Sequence, residues 1–133
     1  MHILYAKQTN DPESILTLKL ILEGYCFSGQ FDKAKILLEK VDGLFDINYD
    51  DGLLILAATE RKDYDFLNFL FANGADIRYC NKSPLIIAHY DQSDKMKTYL
   101  IEHGADPKVL EGFVYNKNYP RANNLDHKEI TSN

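Results

Sequence analysis

The chain has no tryptophan, and its 133 residues include two cysteines, four prolines and seven glycines. Two cysteines cannot make a disulfide framework, and so little proline and glycine is not the composition of a collagen-like or low-complexity chain. No long hydrophobic run is present. The longest, ILTLKLIL at 15–22, is broken by Lys19 and is far shorter than the roughly 20 residues of a membrane-spanning helix. The N-terminus MHILYAKQTNDPE lacks both a basic region and a long apolar region, so no secretory signal is expected. Cys26 and Cys80 are then expected as free thiols in a reducing compartment, the cytoplasm of the protein's own cell or of a host.

Positive charge is also scarce. Fifteen basic residues against twenty acidic ones give a net charge of −5. Nucleic-acid binding leans on clustered Lys and Arg, so neither a nucleic acid nor an anionic membrane is expected as partner. A basic or neutral protein surface fits better. The motifs of catalysis are missing too. There is no G-x-S-x-G, no phosphate-cradling glycine loop and no metal-binding helix. His2, His89, His103 and His127 share no helical spacing, and none pairs with a cysteine at finger spacing. The stretch DINYDDG (46–52) places Asp46, Asn48 and Asp50 like the first ligands of a calcium loop. However, Asp51 stands where the sharp-turn glycine belongs and Ala57 where the closing glutamate belongs. No enzyme, cofactor or metal is expected.

What the sequence does contain is a repeat. FDIN (45–48), ADIR (75–78) and ADPK (105–108) recur at a spacing of 30, and the same offset carries Leu56 onto Ile86, Ala58 onto Ala88 and Leu70 onto Leu100. Each unit holds a short apolar run ending in alanine, a polar break and a second amphipathic run. Leu67, Leu70 and Phe71, or Met96, Leu100 and Ile101, share one helical face. Gly74 and Gly104 stand where a left-handed residue stops a helix, and Pro84 suits a first turn. Asp11, Pro12 and Glu13 predict the start of a longer helix reaching about Phe27, followed by a Gly29 turn and a helix with Ala34, Leu37 and Leu38 on its apolar side. MHILYAKQ reads equally as a short strand or a helical start. Helix pairs of this size cannot bury their apolar faces alone, so they are expected to stack.

SPLIIA (83–88), YLIEHGAD (99–106), LLILAA (53–58) and LFANGAD (70–76) resemble the ankyrin repeat, with its T-P-L-H-x-A run and its G-A-D ending. The resemblance covers about residues 17–112. The 30-residue period looks like that of ankyrin arrays in large DNA viruses and amoeba-associated organisms. The departures are Lys62 and Gln92 in place of the turn glycine, Leu54 and Leu56 in place of Pro and His, and a short inter-repeat hairpin. The family resemblance implies an all-α, ankyrin-type helical-hairpin solenoid of about three stacked helix pairs with a polar C-terminal tail. Its parts would be a divergent capping hairpin (1–43), two repeats (44–112) and a capping segment with tail (113–133). It implies a non-catalytic protein–protein interaction module that binds through loop tips and the concave helix face. Carried over by position, the candidate partner-binding residues are Tyr49, Asp50, Asp51, Glu60, Arg78, Tyr79, Asn81, His89, Tyr90 and Asp91.

Three alternatives stand beside it, one of them a purely structural or self-associating module. A small acidic chain also suits an inhibitor or immunity-type protein that occludes a basic site on an enzyme. EGYCFSGQFDKAKILLEKV (23–41) resembles an RNA-reading pentatricopeptide unit, but no second copy follows at its period.

Overall fold

The computed structural model describes residues 2–80 and 84–111. Among these the regular structure is entirely helical. Seven α-helices follow in order: α1 (His2–Thr9), α2 (Pro12–Phe27), α3 (Phe31–Lys40), α4 (Tyr49–Glu60), α5 (Tyr64–Ala72), α6 (Pro84–Tyr90) and α7 (Asp94–Glu102). Short 3-10 turns lie at Ile77–Tyr79 and Pro107–Leu110. The ambiguous N-terminal stretch is therefore helical, with Ala6 buried beneath it.

Helix α2 begins as its sequence dictates. Asp11 is extended and its carboxylate accepts the Ser14 N–H at 3.0 Å, with Pro12 in the first helical position. Leu18, Leu22 and Cys26, four residues apart, form its buried edge. The later helices start by the same device. Asp63 accepts the Phe66 N–H at 2.9 Å to open α5, and Ser93, thirty residues on, accepts the Met96 N–H at 3.2 Å to open α7. Both end on a left-handed glycine, Gly74 at φ +97° and Gly104 at φ +106°.

The aspartates at the 30-residue spacing each close a turn. Asp46, Asp76 and Asp106 accept the backbone N–H two residues on, from Asn48, Arg78 and Lys108, each at 2.9 Å. The period seen in the sequence is thus a period of hydrogen bonds.

The pairs α2–α3, α4–α5 and α6–α7 pack side by side. Helix α4 lies between α2 and α6, and α3 lies against α5. Rings cross the joints. Phe31 of α3 stacks on Phe66 of α5 with centroids 4.6 Å apart, and Tyr64 of α5 meets Tyr99 of α7 edge-on at 5.2 Å. Lys35 pairs with Asp65, and the Tyr99 hydroxyl donates to Asn68 Oδ1 at 2.6 Å. The core runs through every joint: Leu54, Ile55, Phe66, Leu67, Leu70, Leu85, Met96 and Leu100 are each at most 1% exposed. Burying one such side chain contributes about 1.5–3 kcal/mol.

Some expectations need correcting. Ile101 is not part of the apolar face with Met96 and Leu100. It lies a quarter-turn away on α7 and is 40% exposed. Phe71 is only partly buried, its ring stacked on His103 at 4.4 Å. Helix α4 is regular only beyond Gly52, because Asp50, Asp51 and Gly52 all carry left-handed dihedrals. The glycine at 52 has a reason: a Cβ there would stand 2.4 Å from the Cys80 Sγ. Val109 and Leu110, after the last helix, are partly buried against the core, while the capping segment and tail at 113–133 lie outside the described residues.

Candidate functional site

The ten candidate residues fall into three groups. Tyr49, Asp50 and Asp51 open α4. Asp50 and Asp51 are exposed on their left-handed turn at φ +51° and +56°. Tyr49 is not an exposed anchor. Its hydroxyl donates to Glu23 Oε2 on α2 at 2.8 Å, its ring meets Phe45 edge-on at 5.4 Å, and Lys19 Nζ lies 5.0 Å from its centroid. Burial and the Glu23 carboxylate together push its phenol well above the usual range. Tyr49 therefore joins α4 to α2.

Arg78 and Tyr79 form the second group, on the 3-10 turn thirty residues later. Arg78 is exposed and folds back on Asp76, with Nε at 3.0 and 3.2 Å and a terminal nitrogen at 2.7 Å. That guanidinium holds the Asp76 carboxyl below the usual carboxylate range. Tyr79 is 61% exposed and matches the expected loop-tip aromatic. Asn81 lies outside the described residues.

The third group closes the first helices. Glu60 is exposed at the end of α4. At the end of α6, His89 and Asp91 are half-buried and Tyr90 is 3% exposed, so Tyr90 is a core residue and cannot serve as a contact.

The structure thus separates the residues that the resemblance grouped. Tyr79, Arg78, Asp50, Asp51 and Glu60 are at the surface. Tyr49 and Tyr90 hold the fold.

Sequence reasoning overlooked a second surface. Helix α2 exposes Leu16 (55%), Leu20 (57%) and Phe27 (54%). The available signal was that α2 is apolar on both sides, with these three spaced i, i+4 and i+11 opposite the buried Leu18, Leu22 and Cys26.

Neither thiol is placed for chemistry. Cys26 is buried and Cys80 half-buried, and burial pushes both up to about 12, away from the reactive thiolate. Among the described residues no three His, Cys, Asp or Glu side chains are grouped to hold a metal. The hollow lined by Leu38, Val41, Phe45, Ile47 and Phe69 encloses about 130 Å³. Larger and more open hollows lie beside Tyr64, Lys95 and Tyr99, about 440 Å³, and beside Ala75, Arg78 and His103, about 510 Å³. No helix among the described residues is long and apolar enough to cross a membrane. No family model matches the sequence, and no curated protein or solved structure is detectably similar to the chain.

Proposed function

We propose that the chain is a short ankyrin-type solenoid that works, without catalysis, as a protein-binding module in a reducing, cytosolic compartment of its own cell or of a host. The observation that carries this reading is the recurrence of one turn after each packed helix pair, with Asp46, Asp76 and Asp106 each bonding two residues ahead at 2.9 Å. Stacked units of this kind offer a broad surface and no deep pocket. Affinity then comes from a few aromatic and apolar anchors, while the acidic residues around them select a complementary partner. Tyr79 with Arg78 at the tip of the second unit is one such anchor. Tyr49 and Tyr90 are left out, because both are engaged inside the fold.

Affinity capture with the tagged full chain, with and without nuclease, tests this. One protein retained at near-equal amount after nuclease is the expected result, with retention reduced by Tyr79→Ala. A catch that vanishes with nuclease would replace the reading with RNA binding. If the retained partner is an enzyme whose activity is blocked, the module is an inhibitor.

A further inference from the structure

Resting on the binding-module reading and deepening it, we infer that the joint between the loops after α5 and after α7 is a docking slot for a primary carboxamide, the side chain of an asparagine or glutamine on the partner protein. The preceding joint shows what such a slot takes. There Asn48 reaches across to the next unit, with Nδ2 donating to the Gly74 carbonyl at 3.2 Å and Oδ1 accepting the Asp76 N–H at 2.7 Å. One carboxamide meets a backbone acceptor and a backbone donor two residues apart.

The second joint has the same loop and a different side chain. Gly104 and Asp106 stand thirty residues after Gly74 and Asp76. Both glycines are left-handed, at φ +97° and +106°. The Ala75 N–H donates to the Leu70 carbonyl at 2.9 Å, and the Ala105 N–H to the Leu100 carbonyl at 3.0 Å. Both aspartates are extended, and each accepts the N–H two residues on at 2.9 Å. The Gly104 carbonyl and the Asp106 N–H are thus presented as their counterparts are.

Arg78 holds the place of Asn48 and cannot do the same work. A guanidinium carries donors and no acceptor, so nothing on that side chain can receive the Asp106 N–H. It turns back on Asp76 instead, with contacts at 3.0, 3.2 and 2.7 Å. Among the described residues the Gly104 carbonyl and the Asp106 N–H have no hydrogen-bond partner. Both residues are exposed. An open hollow of about 510 Å³ separates Gly74, Asp76 and Arg78 from Glu102, His103 and Gly104. The vacant pair needs a donor and an acceptor on one small group. A carboxylate lacks the donor, and an ammonium or guanidinium lacks the acceptor. The carboxamide that the chain itself uses one joint earlier has both.

The test follows the backbone amides of the isotope-labelled full chain in proton–nitrogen correlation spectra. The probes are the tripeptides Gly-Asn-Gly, Gly-Gln-Gly and Gly-Ala-Gly, acetylated and N-methylamidated so that their ends carry no primary amide. The asparagine or the glutamine peptide should move the Asp106 amide proton downfield in a saturable manner, and the alanine peptide should leave it in place. Arg78→Ala should keep this response. Arg78→Asn should fill the slot with the chain's own carboxamide. It should shift the Asp106 amide before any peptide is added, raise the urea midpoint and abolish the response. Asn48→Ala opens the first joint, so the Asp76 amide should begin to respond to the same peptide. The proposal is overturned if Asp106 is silent to both carboxamide peptides, or if the alanine peptide shifts it equally, which would assign the slot to main chain. It is also overturned if Arg78→Ala loses the response as fully as Arg78→Asn, which would make the guanidinium the contact. A partner captured from cytosol that is lost with Tyr79→Ala but kept with Arg78→Asn would remove this slot and leave the binding-module reading intact. No captured protein at all would remove that reading, and this inference with it.

Discussion

The first helix pair, α2–α3, and the two that follow are built for the same stack but finished differently. The pairs α4–α5 and α6–α7 are close copies. Each opens its second helix with a side-chain cap (Asp63, Ser93), turns through a left-handed non-glycine (Lys62, Gln92) and stops on a left-handed glycine. In α2–α3 the turn is Gly29, and Gln30 before α3 makes no side-chain cap. The larger contrast is at the surface. Leu4, Tyr5, Leu16, Leu20, Ile21, Phe27 and Ile36 are exposed on α1–α3, against Tyr79 and Ile101 in the units beyond. The later units turn most of their large apolar side chains toward one another. The first keeps a second apolar side, which a repeat needed only for its own stack would not have.

The sharpest way to break this comparison is to cut the joint between the two kinds of unit. Phe66 is fully buried and stacks on Phe31 of the first unit and on Phe69 of its own. Phe66→Ala should cost about 3–5 kcal/mol and lower the stability of the whole chain in one transition, followed by circular dichroism in urea. Met96→Ala, at the same place one unit later, should cost about 2–5 kcal/mol. Two separate transitions in the wild type, with Phe66→Ala moving only one, would show that α2–α3 folds independently and that the stack is not continuous.

That contrast also marks where the sequence was readable. The start of α2 at Asp11–Pro12, the glycine stops and the 30-residue aspartate period are local signals. Each depends on one residue's side chain or dihedral, and each is in place in the structure. The fate of Tyr49 and Tyr90 was not local. Both tyrosines follow the spacing of exposed loop and helix-end positions, but whether a ring lies outward depends on what the neighbouring helix offers. Glu23 and Lys19 lie 26 and 30 residues before Tyr49, and no pattern around Tyr49 announces them. The exposed row on α2 failed for the opposite reason. An apolar residue on a helical face reads as core, and only packing shows that Leu16, Leu20 and Phe27 stay more than half exposed among the described residues.

A middle-sized effect should come from Asn48, which occupies the place of Arg78 and Lys108 in the repeat. Its side chain bridges units: Nδ2 donates to the Gly74 carbonyl at 3.2 Å, and Oδ1 accepts the Asp76 N–H at 2.7 Å. Arg78, one unit on, turns back to Asp76 instead. Asn48→Ala should cost about 1–2 kcal/mol, since it leaves two backbone groups without their partner. Arg78→Ala removes an exposed, solvent-screened ion pair and should cost clearly less than Asn48→Ala. Equal losses in urea titrations would mean that the bridge contributes no more than a surface contact.

The smallest effect should have the opposite sign. Lys62 and Gln92 both sit at φ +55°, a region that costs a residue with a Cβ about 1–2 kcal/mol. Glycine relieves that strain, though part of the gain is lost to the greater freedom of the unfolded chain. Lys62→Gly and Gln92→Gly should therefore each stabilise by roughly 0.5 kcal/mol, seen as a higher urea midpoint at unchanged slope. The reverse exchange at the first turn should do more harm. Gly29 has φ +78°, and a Cβ there would lie 2.7 Å from a guanidinium nitrogen of Arg61. That side chain can swing aside, but only by giving up its bond to the Phe27 carbonyl, so Gly29→Gln should destabilise by about 1–3 kcal/mol. If Gly29→Gln were harmless, Arg61 would not be holding the end of α2 against α4. The first turn would then need its glycine no more than the two that follow.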